Sequence, residues 1–210
     1  MTNIEVVKIQ MGKRGYLSST VYRDAMINMR FESFTIEDTN FFIDYYKTVK
    51  DIFSRNQILQ TFVLQCQKYD LKEFFLIAFK KERYLEMRLT AIRGYATYVS
   101  EKEVIPLMKK FVDILVKIPS HTPYNYQEYE MLRSKFGLPY LVEKYKYDCF
   151  KEALEQLEKQ YNDMPDECKG FFTLDENGIY VSLMTGEEID KNIDILFKKN
   201  ENSLYNKNGV

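Results

Sequence analysis

Residues Tyr84–Lys117, YLEMRLTAIRGYATYVSEKEVIPLMKKFVDILVK, read as two amphipathic helices joined by a turn of one or two residues. The first places Leu85, Leu89, Ile92, Ala96 and Val99 on one side. The second buries Val104 or Ile105, then Met108, Phe111, Leu115 and Ile118. The preceding stretch, residues 57–80, follows the same plan. Two Asp/Ser-x-x-Glu patterns, Asp70/Glu73 and Ser100/Glu103, lie 30 residues apart and are expected to cap the second helix of each pair. Helix pairs recurring at this period predict an α-solenoid, in which each pair buries its apolar face against its neighbours.

Working outward, residues 1–18 hold Ile4, Val6, Val7 and Ile9 in a pattern that suits a short strand. The helical array is expected over 19–164. A helix is predicted from Ser19 to Met29, and another from Thr39 through Phe53, with a break near Arg55–Asn56. Asn125-x-x-Glu128 reads as an N-cap after the proline loop around His121. Gly137 and Pro139 then mark one helix end and the next start. Asp148 opens a helix with Phe150, Ala153, Leu154, Leu157 and Tyr161 inward, and Glu152, Glu155, Glu158 and Lys159 outward.

The pattern changes after Met164-Pro165. FFTLDENGIYVSL carries two β-rich runs about an Asn-Gly turn, which predicts a hairpin. Thr185-x-x-Glu188 then caps a last helix. An isolated hairpin is marginal, so this one must dock on the last helices. Residues 165–200 are therefore expected to cap the array, with 201–210 a polar tail. The fold class is mainly α: a short solenoid with a small C-terminal hairpin and a final helix.

The stretch from Met87 to Leu115 resembles a HEAT repeat. Met87-Arg88 with Ala91 and Gly94 stand in its first helix; Val104-Ile105-Pro106-Leu107, Phe111 and Asp113-Ile114-Leu115 stand in its second. The resemblance implies stacked helix pairs with a concave face, and protein binding as the usual use of such a face. It extends less specifically to 57–80 and loosely to 125–162.

Composition narrows the chemistry. With 45% hydrophobic and 29% charged residues, the chain is built for a folded core rather than long disorder. Three well-separated cysteines, Cys66, Cys149 and Cys168, form no disulfide framework and suit a reducing compartment, so a cytoplasmic location is expected. No segment approaches a membrane span. The single histidine, His121, has no ligand at metal spacing, so neither a metal site nor a histidine-based triad is expected. Gly12-Lys13-Arg14-Gly15 lacks the ending of a phosphate loop. Residues 173–184 put Asp175, Asn177 and Gly178 at the third, fifth and sixth positions of a calcium loop, but Thr173 and Met184 stand at its first and bidentate twelfth, so the hairpin reading is preferred. No cofactor is implied.

Charge is distributed unevenly. Residues 1–147 carry 23 Lys/Arg against 17 Asp/Glu, whereas 148–194 carry 4 against 13. An acidic C-terminal third steers a basic partner. Tyr124, Tyr126 and Tyr129 follow the proline loop and are candidate anchors, since tyrosine gives large contact area at low entropic cost. Glu155, Glu158, Asp163, Asp166 and Glu167 are candidate steering charges. The expected function is non-enzymatic protein binding, in its sharpest form a bacterial immunity protein that neutralises a basic toxin domain. The alternatives are a nucleic-acid binder of the HEAT-like DNA glycosylase type, with Lys81, Arg88, Arg93, Lys109 and Lys110 on one concave face, or a generic adaptor scaffold. Nucleic acid is the less favoured partner, because the basic excess of the first two-thirds, 23 Lys/Arg against 17 Asp/Glu, is modest for a duplex-binding surface.

Overall fold

A computed structural model describes residues 1–65, 67–117, 124–170, 172–174, 180–192, 194, 195 and 198. Its described residues are mainly helical, with ten α-helices and one two-stranded antiparallel sheet. They divide into two compact units, residues 1–83 with 90–100, and residues 84–89 with 101–210. The division falls inside a helix, α6. Cys66, His121 and the 201–210 tail lie outside the described residues.

In the first unit, α1 spans Asn3–Met11, α2 Thr20–Asn28, α3 Ile36–Thr48, α4 Ile52–Gln65 and α5 Lys72–Lys81. The strand suggested for residues 1–18 is instead α1. Its buried residues are Ile4 and Val7, a three-residue helical spacing that the apolar run had concealed. Thr2 and Glu5 form a reciprocal capping box, and the Glu32 carboxylate accepts from the amides of Asn3 at 2.7 Å and Ile4 at 3.1 Å. A second box, Thr35 with Asp38, starts α3 at Ile36, three residues earlier than Thr39. The break expected at Arg55–Asn56 falls at Val49–Asp51. There Asp51 accepts from the amide of Ser54 at 2.8 Å and its hydroxyl at 2.6 Å, which launches α4. Asp70 accepts from the amide of Lys72 at 3.1 Å, one residue short of the predicted box with Glu73.

This unit's core is aromatic. Phe34, Phe62, Phe74, Tyr46 and Phe75 meet in a chain of edge-on contacts with centroids 4.8–6.0 Å apart. Polar groups are buried along with the rings. Tyr46 donates to Glu82 at 2.5 Å, and Arg55 pairs with the same carboxylate at 2.8 Å, with Glu82 wholly buried. Lys81 donates to the carbonyls of Tyr46 and Lys47 at the end of α3. Nearby, the hydroxyls of Tyr16, Tyr45, Tyr22 and Ser54 form a continuous chain with links of 2.7–3.0 Å.

In the second unit, the first turn of α6 (Leu85–Tyr95) accompanies α7 Glu101–Leu115, α8 Tyr124–Arg133, α9 Leu138–Tyr145 and α10 Asp148–Asp163. As predicted, Gly137 precedes α9 and Pro139 sits in its first turn. A Cβ at Gly137 would lie 2.2 Å from the Leu132 carbonyl oxygen, so only glycine allows that turn. Helix α10 packs on α7, α8 and α9, burying Phe150, Ala153 and Leu157. The hairpin pairs β1 Phe172–Leu174 with β2 Tyr180–Ser182, and β1 lies against α8. After it, residues 186–192 are helical, with Thr185 and Glu188 forming the expected box.

Candidate partner-binding site

The predicted site residues fall within the second unit, and the structure separates them by role. Tyr129 is 1% exposed and donates to Gln160 at 2.7 Å. It is a core residue joining α8 to α10, and its ring has no surface to offer a partner. Tyr124 and Tyr126 lie on α8, in its first turn, with side chains outside the described residues. Glu128, expected to cap α8 with Asn125, reaches instead to the amide of Leu85 at 2.6 Å and so caps α6 from 43 residues away. Burial pushes its carboxyl up to about 7, assisted by the adjacent Glu86.

The acids divide similarly. Glu158 is bound to Arg133 at 2.8 Å, and the guanidinium of Arg133 lies 3.5 Å over the Tyr161 ring. Tyr161 in turn donates to Glu130 at 2.5 Å. This cluster ties α8 to α10, so Glu158 acts within the fold. Asp166 is exposed and paired with Lys169 at 3.0 Å, while Glu167 is half-buried. Glu155 and Asp163 are exposed on α10. Among the cations of the nucleic-acid alternative, Lys81 is engaged with main-chain carbonyls, and Lys109 and Lys110 are exposed on α7.

The feature that the sequence did not reveal is a groove between α7 and α10. Its volume is about 720 Å³. Helix α7 contributes Glu101, Ile105, Met108, Lys109, Val112 and Asp113; α10 contributes Asp148, Cys149, Glu152 and Gln156. The α7 positions recur at helical spacing and give an apolar floor edged by charge. Glu101 accepts from the amide of Cys149 at 2.9 Å, which joins the first turns of the two helices at one end of the groove. Burial and the neighbouring Glu101 push the Cys149 thiol up to about 12, so it stays protonated and unreactive at neutral pH. Four carboxylates and one ammonium stand around the groove. Spacings of four and seven residues carry the acidic stripe of α10 onward from Asp148 and Glu152 past Gln156 to Asp163, with Glu155 beside it.

What this arrangement offers chemically is a non-covalent contact: apolar area for anchoring and carboxylates for steering and register. Among the described residues, no group of three or more His, Cys, Asp or Glu side chains is placed to hold a metal ion, and no helix is long and apolar enough to cross a membrane. Compared with protein-family models, with curated proteins and with solved structures, the chain matches none of them.

Proposed function

We propose that the chain is a non-enzymatic, cytoplasmic protein-binding protein whose partner is basic, and that it acts as an immunity protein by covering the working surface of a toxin domain. The observation that carries this reading is the acidic stripe of α10, in which exposed carboxylates border an open apolar groove. Carboxylates so placed raise the encounter rate with a cation-rich surface, and the apolar floor supplies the contact that persists after encounter. In this proposal the helix pairs stack in HEAT fashion, as the resemblance over 84–117 implies.

The test is capture by the purified, tagged chain from its native cell extract at about 0.1 M salt and again at about 0.5 M, where exposed charges are largely screened. A single basic protein held at low salt, released at high salt and lost with Glu155→Lys/Asp163→Lys is the expected result. Growth protection when that protein and the chain are co-expressed would define it as a toxin. Recovery of nucleic acid in its place, or a partner indifferent to the reversal, overturns the proposal.

A further inference from the structure

Resting on the reading of a basic partner, we infer that the α7–α10 groove is the seat of one amphipathic, lysine- or arginine-rich helical segment of that partner. Three observations fix the occupant. The lining is amphipathic in section: Ile105, Met108 and Val112 form the floor, and charged side chains form the edges. Its acids, Glu101, Asp113, Asp148 and Glu152, outnumber its one cation, Lys109, so a matching segment carries positive charge. Its length also suits a helix. Glu101 and Asp113 stand twelve residues apart on α7, about 18 Å, which is the span of roughly three helical turns.

A helix laid in such a groove presents anchors at i, i+3, i+4 and i+7 to the floor and its cations to both edges. Asp113 and Glu152, exposed on opposite walls, are the two carboxylates best placed to fix its register. Glu101 is already committed to the Cys149 amide, and Asp148 shares its charge with Lys151 at 2.8 Å.

Anisotropy with fluorescent peptides tests this on the full chain. The probe is a lysine–leucine peptide of three to four turns with leucines at i, i+3, i+4 and i+7. The comparison is a scrambled peptide of identical composition. The patterned peptide is expected to bind at least about tenfold more tightly than the scrambled one, and Asp113→Lys/Glu152→Lys to weaken it by about tenfold or more. Both substitutions lie on exposed helix positions, so unchanged circular dichroism should accompany the loss. Carbon-13 labelling of the methionine methyls adds a direct reading of place: the Met108 signal shifts on binding, and the signals of Met26 and Met29 in the first unit do not.

Equal affinity for patterned and scrambled peptides reduces the groove to a polyelectrolyte surface and overturns the inference. A Met108 signal unmoved by bound peptide also overturns it. Concentration-dependent dimerisation abolished by Asp113→Lys/Glu152→Lys would assign the groove to a second copy of this chain instead. If Glu155→Lys/Asp163→Lys abolishes capture of the natural partner while the groove variant leaves it intact, the helix inference fails and the basic-partner function stands. If neither variant matters, both fail.

Discussion

The two units use polar side chains in opposite ways. The first turns them inward in two sets: Glu82 with Arg55 and Tyr46, and the Tyr16–Tyr45–Tyr22–Ser54 hydroxyl chain. The second turns most of them outward, along α10 and around the α7–α10 groove, and keeps a smaller set at the α8–α10 junction. A buried ionic network stabilises only while every member is present, whereas an exposed acidic stripe contributes almost nothing to folding and is available for recognition. The difference separates residues that hold the chain together from residues open to a partner, and it sets an order of expected effects.

The largest belongs to Glu82. Glu82→Ala would take from the buried Tyr46 hydroxyl its acceptor and from the largely buried Arg55 guanidinium its counter-ion, leaving Arg55 only the carbonyls of Val49 and Lys50, at a cost of about 3–5 kcal/mol. Chemical denaturation of the single and double variants with Arg55→Ala checks this. Removing both partners should cost clearly less than the two single losses added together. Strict additivity would show that the pair is not coupled, and would remove the contrast between the units.

Next comes Gly94. A Cβ there would lie 2.2 Å from the Phe75 ring, which is itself fully buried. Gly94→Ala is therefore expected to destabilise by about 3 kcal/mol, overriding the roughly 1 kcal/mol that alanine adds as a better helix former. Phe75→Leu introduced alongside should recover part of the loss, because it relieves the clash. A gain in melting temperature from Gly94→Ala alone would show the ring free to move.

Glu128 gives the second unit its own sensitivity, to pH. Its carboxyl is pushed up to about 7 in the folded chain, from an ordinary 4.5, so the folded state holds the proton more tightly than the unfolded state. Stability from this group is then fully present below about pH 4.5 and declines as pH rises through the window to about 7. The expected loss is roughly 2–3 kcal/mol. Glu128→Gln, which keeps an acceptor for the Leu85 amide, should flatten that slope in denaturation curves taken from pH 5 to 8. A slope unchanged by the substitution would assign the pH dependence to other groups, the adjacent Glu86 first.

Much of the fold was legible because helical periodicity and turn chemistry are local. The Gly137–Pro139 boundary, the pairing of β1 with β2 and the inward face of α10 all follow from residues close in sequence. What escaped depends on partners far along the chain. Glu82 stands between two cations in the sequence, yet it is buried and bonded to residues 27 and 36 positions earlier. Glu128 reads as part of its own helix start and instead caps another. Tyr129 carries no sign in its sequence neighbourhood that Gln160 covers its hydroxyl. The groove was hidden for a related reason. An apolar stripe on α7 predicts burial, but nothing local tells how far α10 covers Ile105 and Val112.

The smallest effect on folding is the one that most sharply separates the units by role. Glu155 and Asp163 are exposed on the outer side of α10, away from Phe150, Ala153 and Leu157. Reversing both to lysine should change stability by no more than about 0.5 kcal/mol, since exposed charges act through water and counterions. Capture of a basic partner should nevertheless be lost, with the association rate falling before the dissociation rate rises, because charges outside the tightly packed contact act mainly on encounter. Stopped-flow association at several ionic strengths reads this directly. Wild type should slow steeply with added salt and the double variant scarcely at all. If the reversal instead lowered the melting temperature by many degrees, these carboxylates would belong with Glu82 among the residues that hold the fold, and the stripe would lose its claim as a recognition surface.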